Sequence, residues 1–233
     1  MIRDEIHITL DDVTLVARLH IPNRVRGLVI IAEGKDCKML KVQNEYLSRA
    51  LSRKCIATLF TFLLDPPENQ EYDIPFDIEL IREHLEKVTR WVFGQDWLYH
   101  LPVGYFAVNT AAAAALEASL SAGYKIKAIV SHCGRPDLAG PRLNRVKSAT
   151  LLITASENIY LNELNWQAYN LLTCEKQLVT IDGNPSRFEA IDKARQVAYL
   201  SANWFDRHFP MMPSGRMAVT AHPRHQIRTV SRQ

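Results

Sequence analysis

Residues Glu5 to Leu10 and Val13 to Ile21 alternate apolar and polar positions on either side of Asp11-Asp12. Period two flanking a turn predicts a β-hairpin. Pro22-Asn23 ends the second strand, and Gly27 to Ala32 follows as an unbroken apolar run, the pattern of a strand buried on both faces. Helical and extended patterns then alternate. Asn44 to Arg53 reads as a helix and Cys55 to Phe62 as a strand, with a loop at Pro66-Pro67-Glu68-Asn69. Phe76 to Phe93 carries Ile78, Ile81, Leu85, Val88 and Val92 on one stripe of a helix. Pro102 to Val108 reads as a strand and Thr110 to Ser121 as an alanine-rich helix. Ile126 to Ser131 and Ala149 to Ala155 read as strands, Leu161 to Leu172 as a helix, Gln177 to Ile181 as a strand and Ala190 to His208 as a helix. A hairpin followed by repeated strand–helix pairs predicts an α/β fold: a mostly parallel sheet of about eight strands, flanked by helices, with the second strand antiparallel.

The proline-rich break at Pro210 to Gly215 divides the chain into one domain, 1–209, and a tail, 210–233. The tail changes the meaning of the net charge of +3. It carries Arg216, Arg224, Arg228 and Arg232 and no acidic residue, so residues 1–209 are one charge negative. The basic character belongs to the tail, and the body carries no electrostatic sign of a nucleic-acid binder. The tail arginines are candidate contacts for a protein partner; four of them over 24 residues make a thin patch for nucleic acid. The N-terminus lacks a basic head followed by an apolar stretch, and no apolar run approaches the ~18–20 residues of a membrane span. Four scattered cysteines with no Cys-x-x-Cys pair argue against zinc and a disulfide framework and fit reduced thiols in the cytoplasm.

Four segments, in order, resemble the dienelactone-hydrolase-like branch of the α/β-hydrolases over about residues 3–209. Gly27 to Gly34 looks like the third strand entering the oxyanion loop. Leu101 to Leu116 looks like the fifth strand, nucleophile elbow and following helix. Val130 to Gly140 looks like the loop after the sixth strand. Thr150 to Ile153 with Leu164-Asn165 looks like the segment carrying the acid, and Trp204-Phe205 fits the last helix. The resemblance implies an α/β-hydrolase fold with no large cap domain, and no cofactor or metal.

The family's chemistry needs a nucleophile on a sharp strand-to-helix turn, then an acid, then a histidine. Here the elbow reads Ala107-Val108-Asn109-Thr110-Ala111, with Asn109 at the nucleophile position. An amide nitrogen, its lone pair delocalised into the carbonyl, is a very poor nucleophile. By register the acid position holds Asn158, beside Glu157, and the histidine position holds Ser186, with no histidine between His132 and His208. The oxyanion loop reads Glu33-Gly34 where the family has His-Gly; a carboxylate there would repel a developing oxyanion. Asn109 nonetheless suits the elbow, because Asn tolerates positive φ, and Ala107 and Ala111 keep the crossing of strand and helix small.

The reading is therefore a non-catalytic α/β-hydrolase-fold protein, with a binding or assembly role, whose former active site persists as a polar cleft lined by Glu33, Gly34, Asp36, Asn109, Thr110, Asn158 and Ser186, open to a small ligand. The alternative is a hydrolase of small esters or lactones using non-standard residues. Adjacent His132 and Cys133 point to opposite sides of an extended segment, a poor arrangement for proton transfer, and read as a loop residue beside a buried thiol. Cys37 reads as inert, with Glu33 and Asp36 raising its pKa. Arg135 and Asp137 read as a local ion pair. Asp96 to His100, with Trp97 and Tyr99, reads as a surface loop and a candidate interface.

Overall fold

In the computed structural model, residues 2–9, 14–33, 38–64, 77–122, 125–183 and 191–210 are described, and structural statements refer to them. Eight strands form one sheet: β1 (Ile2–Thr9), β2 (Thr14–Ile21), β3 (Gly27–Glu33), β4 (Ile56–Phe62), β5 (Val103–Val108), β6 (Ile126–His132), β7 (Ala149–Ala155) and β8 (Lys176–Ile181). Their spatial order is β1-β2-β4-β3-β5-β6-β7-β8. β2 runs antiparallel to both β1 and β4, and every later pairing is parallel. The predicted α/β-hydrolase architecture and its single reversed strand are what the chain forms.

Helices α1 (Lys38–Arg53), α2 (Ile78–Phe93), α3 (Ala111–Ala122), α4 (Ile159–Leu171) and α5 (Ile191–His208) cover both faces. Two apolar cores result. One holds Leu28, Ile30, Tyr105 and Ile129 with Leu85, Val88 and Leu116 of α2 and α3; the other holds Val29, Ile31, Phe106 and Val130 with Leu47 of α1 and Phe205 of α5. β3 and β5 are buried at every position, which explains why their sequences do not alternate. Asp77 caps α2 by accepting a bond from the Leu80 amide at 3.1 Å, and the predicted stripe of that helix faces the core. Alanines 111 to 115 are all buried, so small side chains let α3 lie close to the sheet. Gly104 is needed for a similar reason: a Cβ there would sit 2.6 Å from the Phe205 ring.

Several elements differ from the periodicity. α1 starts at Lys38, ahead of the predicted Asn44, and α4 starts at Ile159. Residues Pro136–Arg145, of which those to Gly140 read as loop, form a 3-10 segment kinked at Gly140, whose φ is 54°. Trp97 is 6% exposed; the indole fills the core, so no tryptophan surface forms near residue 97, while Asp96, Tyr99 and His100 stand out of that turn. Among the described residues, no helix is long and apolar enough to cross a membrane. The tail from 211 onward, with Arg216, Arg224, Arg228 and Arg232, lies outside the described residues.

Candidate functional site

The C-terminal ends of β3, β5, β6 and β7 meet along one edge of the sheet. β5 delivers Asn109 there at φ 52°, in the left-handed region, and the next residues turn directly into α3. The turn is tied down by its backbone. The Asn109 carbonyl accepts from the Ala112 amide at 3.2 Å and the Arg135 amide at 2.9 Å. Gly134 completes the tie, since a Cβ at that residue would lie 2.2 Å from Ser131 Oγ and 2.4 Å from Ala112 Cβ. Ala107 and Ala111 are buried, as the tight crossing requires. The strained elbow thus survives with an amide at its apex: Asn109 is exposed and Thr110 half-buried. The Thr110 hydroxyl is enclosed without a hydrogen-bond partner among the described residues.

Beneath the elbow lies a polar layer. In register, Ala32 pairs with Ala107 and His132 with Val108, so Glu33 and His132 flank the last residue of β5. Both are buried, and both are held by successive residues of α1. Asn44 donates to Glu33 at 2.6 Å, and Gln43 Nε2 donates to His132 Nδ1 at 2.9 Å. The imidazole therefore carries its proton on Nε2 and has its free lone pair occupied. It stacks on Phe106 at 6.3 Å between centroids, and burial lowers its pKa to about 4. Cys133, also at positive φ, is half-buried with its thiol pushed up to about 12 by desolvation. The sequence reading placed a loop residue beside a buried thiol; the histidine is in fact the more buried member and ends a strand. A neutral, occupied imidazole and a protonated thiol do not make a nucleophile and base.

Asn158 stands after β7, where the register placed it, but its side chain is exposed and caps α4, accepting from the Leu161 amide at 2.9 Å. That is a helix-terminal role and differs from the cleft-lining role read from sequence. Glu33 likewise turns inward to α1. Of the predicted lining, Asn109 stands on the exposed rim with the half-buried Thr110 beside it. Gly34, Asp36, Cys37 and Ser186 lie outside the described residues. Arg135 forms the predicted ion pair, with Asp137 bound through Nε at 2.9 Å and Nη2 at 2.8 Å; Asp137 holds the guanidinium pKa above its ordinary value.

Nothing in the motifs points to Gln43 at the site, and they name Asn165 only within the segment resembling the acid-carrying one, without its role. Gln43 fixes His132 across a separation of 89 residues. Asn165, fully buried in α4, donates to the carbonyls of Gly134 at 3.0 Å and Leu161 at 2.9 Å, joining α4 to the loop that holds the elbow. An uncharged amide on the buried stripe Leu161-Asn165-Ala168 was the available clue. Among the described residues, no group of three His, Cys, Asp or Glu side chains could hold a metal ion. An open groove of about 510 Å³, lined by Tyr99, His100, Pro102, Lys125, Lys127, Pro210 and neighbours, lies at the opposite edge of the sheet, where β5 and β6 begin. It has no part in the elbow site.

No family model matches the chain. The fold and much of the sequence match the crystal structure of dienelactone hydrolase from Anabaena variabilis, with a TM-score of 0.83 and 31% identity over 90% of this chain and 99% of that one. XC6422 from Xanthomonas campestris, described as an α/β serine hydrolase without a lid, superposes with a TM-score of 0.68 at 15% identity, covering 91% of this chain and 97% of its own; that likeness is one of fold. Two Mycobacterium tuberculosis proteins, each named "Putative phosphoribosyl transferase", are 36% identical over 205 residues, 88% of this chain and 46% of theirs. The chain spans about half the length of these curated relatives.

Proposed function

From the premise that this chain belongs to the dienelactone-hydrolase-like branch of the α/β-hydrolases, we propose that it is a non-hydrolytic member, a binding protein using the rim above the elbow. The observation that carries the reading is Asn109 at φ 52° on the elbow: the backbone of the nucleophile turn is kept and the nucleophile is not. The polar layer below supports it, because His132 is neutral, buried and bonded to Gln43. The exposed Asn109 amide offers two donors and an acceptor. These suit a small neutral carbonyl compound, an ester or lactone bound without being cleaved.

The test is a 15N-HSQC titration with γ-butyrolactone. Saturable shifts at Asn109 and Thr110, reduced in Asn109→Ala, are the expected result; shifts spread evenly over the surface would count against the site. The second reading is hydrolysis of small esters or lactones by unrecognised residues, favoured by the 31% identity to a dienelactone hydrolase. Turnover of 4-nitrophenyl acetate above a heat-denatured control, lost in Asn109→Ala, would support it instead. Phosphoribosyl transfer is not assigned to this chain, because hydrolase-fold elements account for its described residues and the relatives bearing that name are about twice as long.

A further inference from the structure

We propose that α4 is a self-association surface that pairs two copies of this chain antiparallel about a two-fold axis. The outward face of α4 is unlike that of an ordinary surface helix. Ile159 is 81% exposed, Tyr160 69%, Trp166 51% and Leu171 46%. The indole of Trp166 stacks on Tyr169 at 5.6 Å, which covers one of its faces and leaves the other outward. Leu138, in the 3-10 segment packed against α4, is also exposed. The helix Ile159–Leu171 contains one charged residue, Glu163, and that carboxylate accepts from Gln167 at 3.1 Å within the same helix.

The pattern selects a second copy as the occupant. A two-fold interface brings a patch against itself, so it must tolerate its own charge and shape. The exposed positions of α4 are nearly symmetric about residue 165. Antiparallel pairing on that centre sets Ile159 against Leu171 of the other copy, Glu163 against Gln167, and Trp166 near Leu164. Apolar ends meet apolar ends, and the lone carboxylate meets an amide, so no like charges oppose one another. α4 begins at the sheet edge that carries the elbow, so the C-terminal end of the second copy's helix would lie beside the rim near Ile159 and Tyr160.

The test is sedimentation equilibrium of the full chain from about 1 to about 100 µM, a range matched to micromolar affinities. The expected mass tends to twice the 26.6 kDa monomer. Ile159→Lys and Leu171→Glu, both at exposed positions, are each expected to weaken association at least about tenfold, the loss typical of an interface anchor. Their combination in one chain places the introduced lysine against the introduced glutamate of the other copy and is expected to restore the dimer. Leu80→Glu, at an exposed position of α2, serves as the control that leaves association unchanged, and circular dichroism verifies the fold of each variant. A monomeric wild-type chain across the range would overturn the proposal and leave the face to a different partner. A dimer indifferent to both single substitutions, or singly disrupted but not restored by the pair, would overturn it too.

Discussion

Asn109 is where residue identity and backbone geometry meet most directly. A left-handed conformation costs an ordinary L-residue roughly 1–2 kcal/mol, and Asn and Gly are the residues that occupy it readily. At φ 52°, Asn109→Gly should leave stability within about 0.5 kcal/mol, while Asn109→Val should lose about 1–2 kcal/mol in urea denaturation. One strand over, beside Val108, His132 gives a pH signature. Its folded pKa of about 4 lies below the ordinary value of 6.5, so below pH 6.5 the unfolded chain binds a proton that the folded chain refuses. Its neutral burial is fully compatible with folding above pH 6.5, and stability falls as pH drops toward 4. The full effect is on the order of 3 kcal/mol at 1.36 kcal/mol per pKa unit. Comparing wild type with His132→Gln between pH 7.5 and 4.5 should show a shallower decline in the variant; parallel curves would contradict the burial argument. The amide at 109 was legible because the elbow's local pattern names its position. The state of His132 was not, because it depends on burial in the folded chain and on Gln43, which the fold brings from 89 residues away.

Elements show the same division between local and assembled information. Strands with uniform burial, such as β3 and β5, and helices with a clear stripe, such as α2, announce themselves through side-chain periodicity. The 3-10 segment Pro136–Arg145 does not: two prolines, a left-handed Gly140 and three residues per turn erase the 3.6-residue pattern. Asn158 illustrates a register that is right and a role that is different. Its position after β7 followed from sequence, but its oxygen serves the α4 terminus. Asn158→Ala should therefore lower stability by about 1 kcal/mol, whereas Asn158→Asp, which also caps well, should be nearly neutral; thermal melts distinguish them. Gly134 holds the elbow loop against Ala112 and Ser131 with no room for a Cβ. Gly134→Ala should cost about 1–3 kcal/mol, read as a lower denaturation midpoint at unchanged m-value.

Across the whole molecule, a single topology places two different surfaces at opposite ends of the strands. The elbow rim and the start of α4 share the C-terminal edge, while the groove with Lys125 and Lys127 and the exit of the chain at Pro210 share the N-terminal edge. The mostly parallel sheet and the reversed β2 were readable from the hairpin and the repeated strand–helix units, whereas the strand order came only with the fold. The departure from the family's triad pattern was readable from the residue type at Asn109 and the absence of histidine between 132 and 208. What joins α1 and α4 to the site, through Gln43, Asn44 and Asn165, became visible only with the fold. The central claim is that no side chain at this elbow attacks a carbonyl or phosphorus centre. Its most direct test is intact-mass spectrometry of the folded chain after incubation with a fluorophosphonate probe. The account predicts an unmodified mass under conditions that fully label a working serine esterase. A stoichiometric adduct, abolished by changing a residue at the elbow, would contradict it.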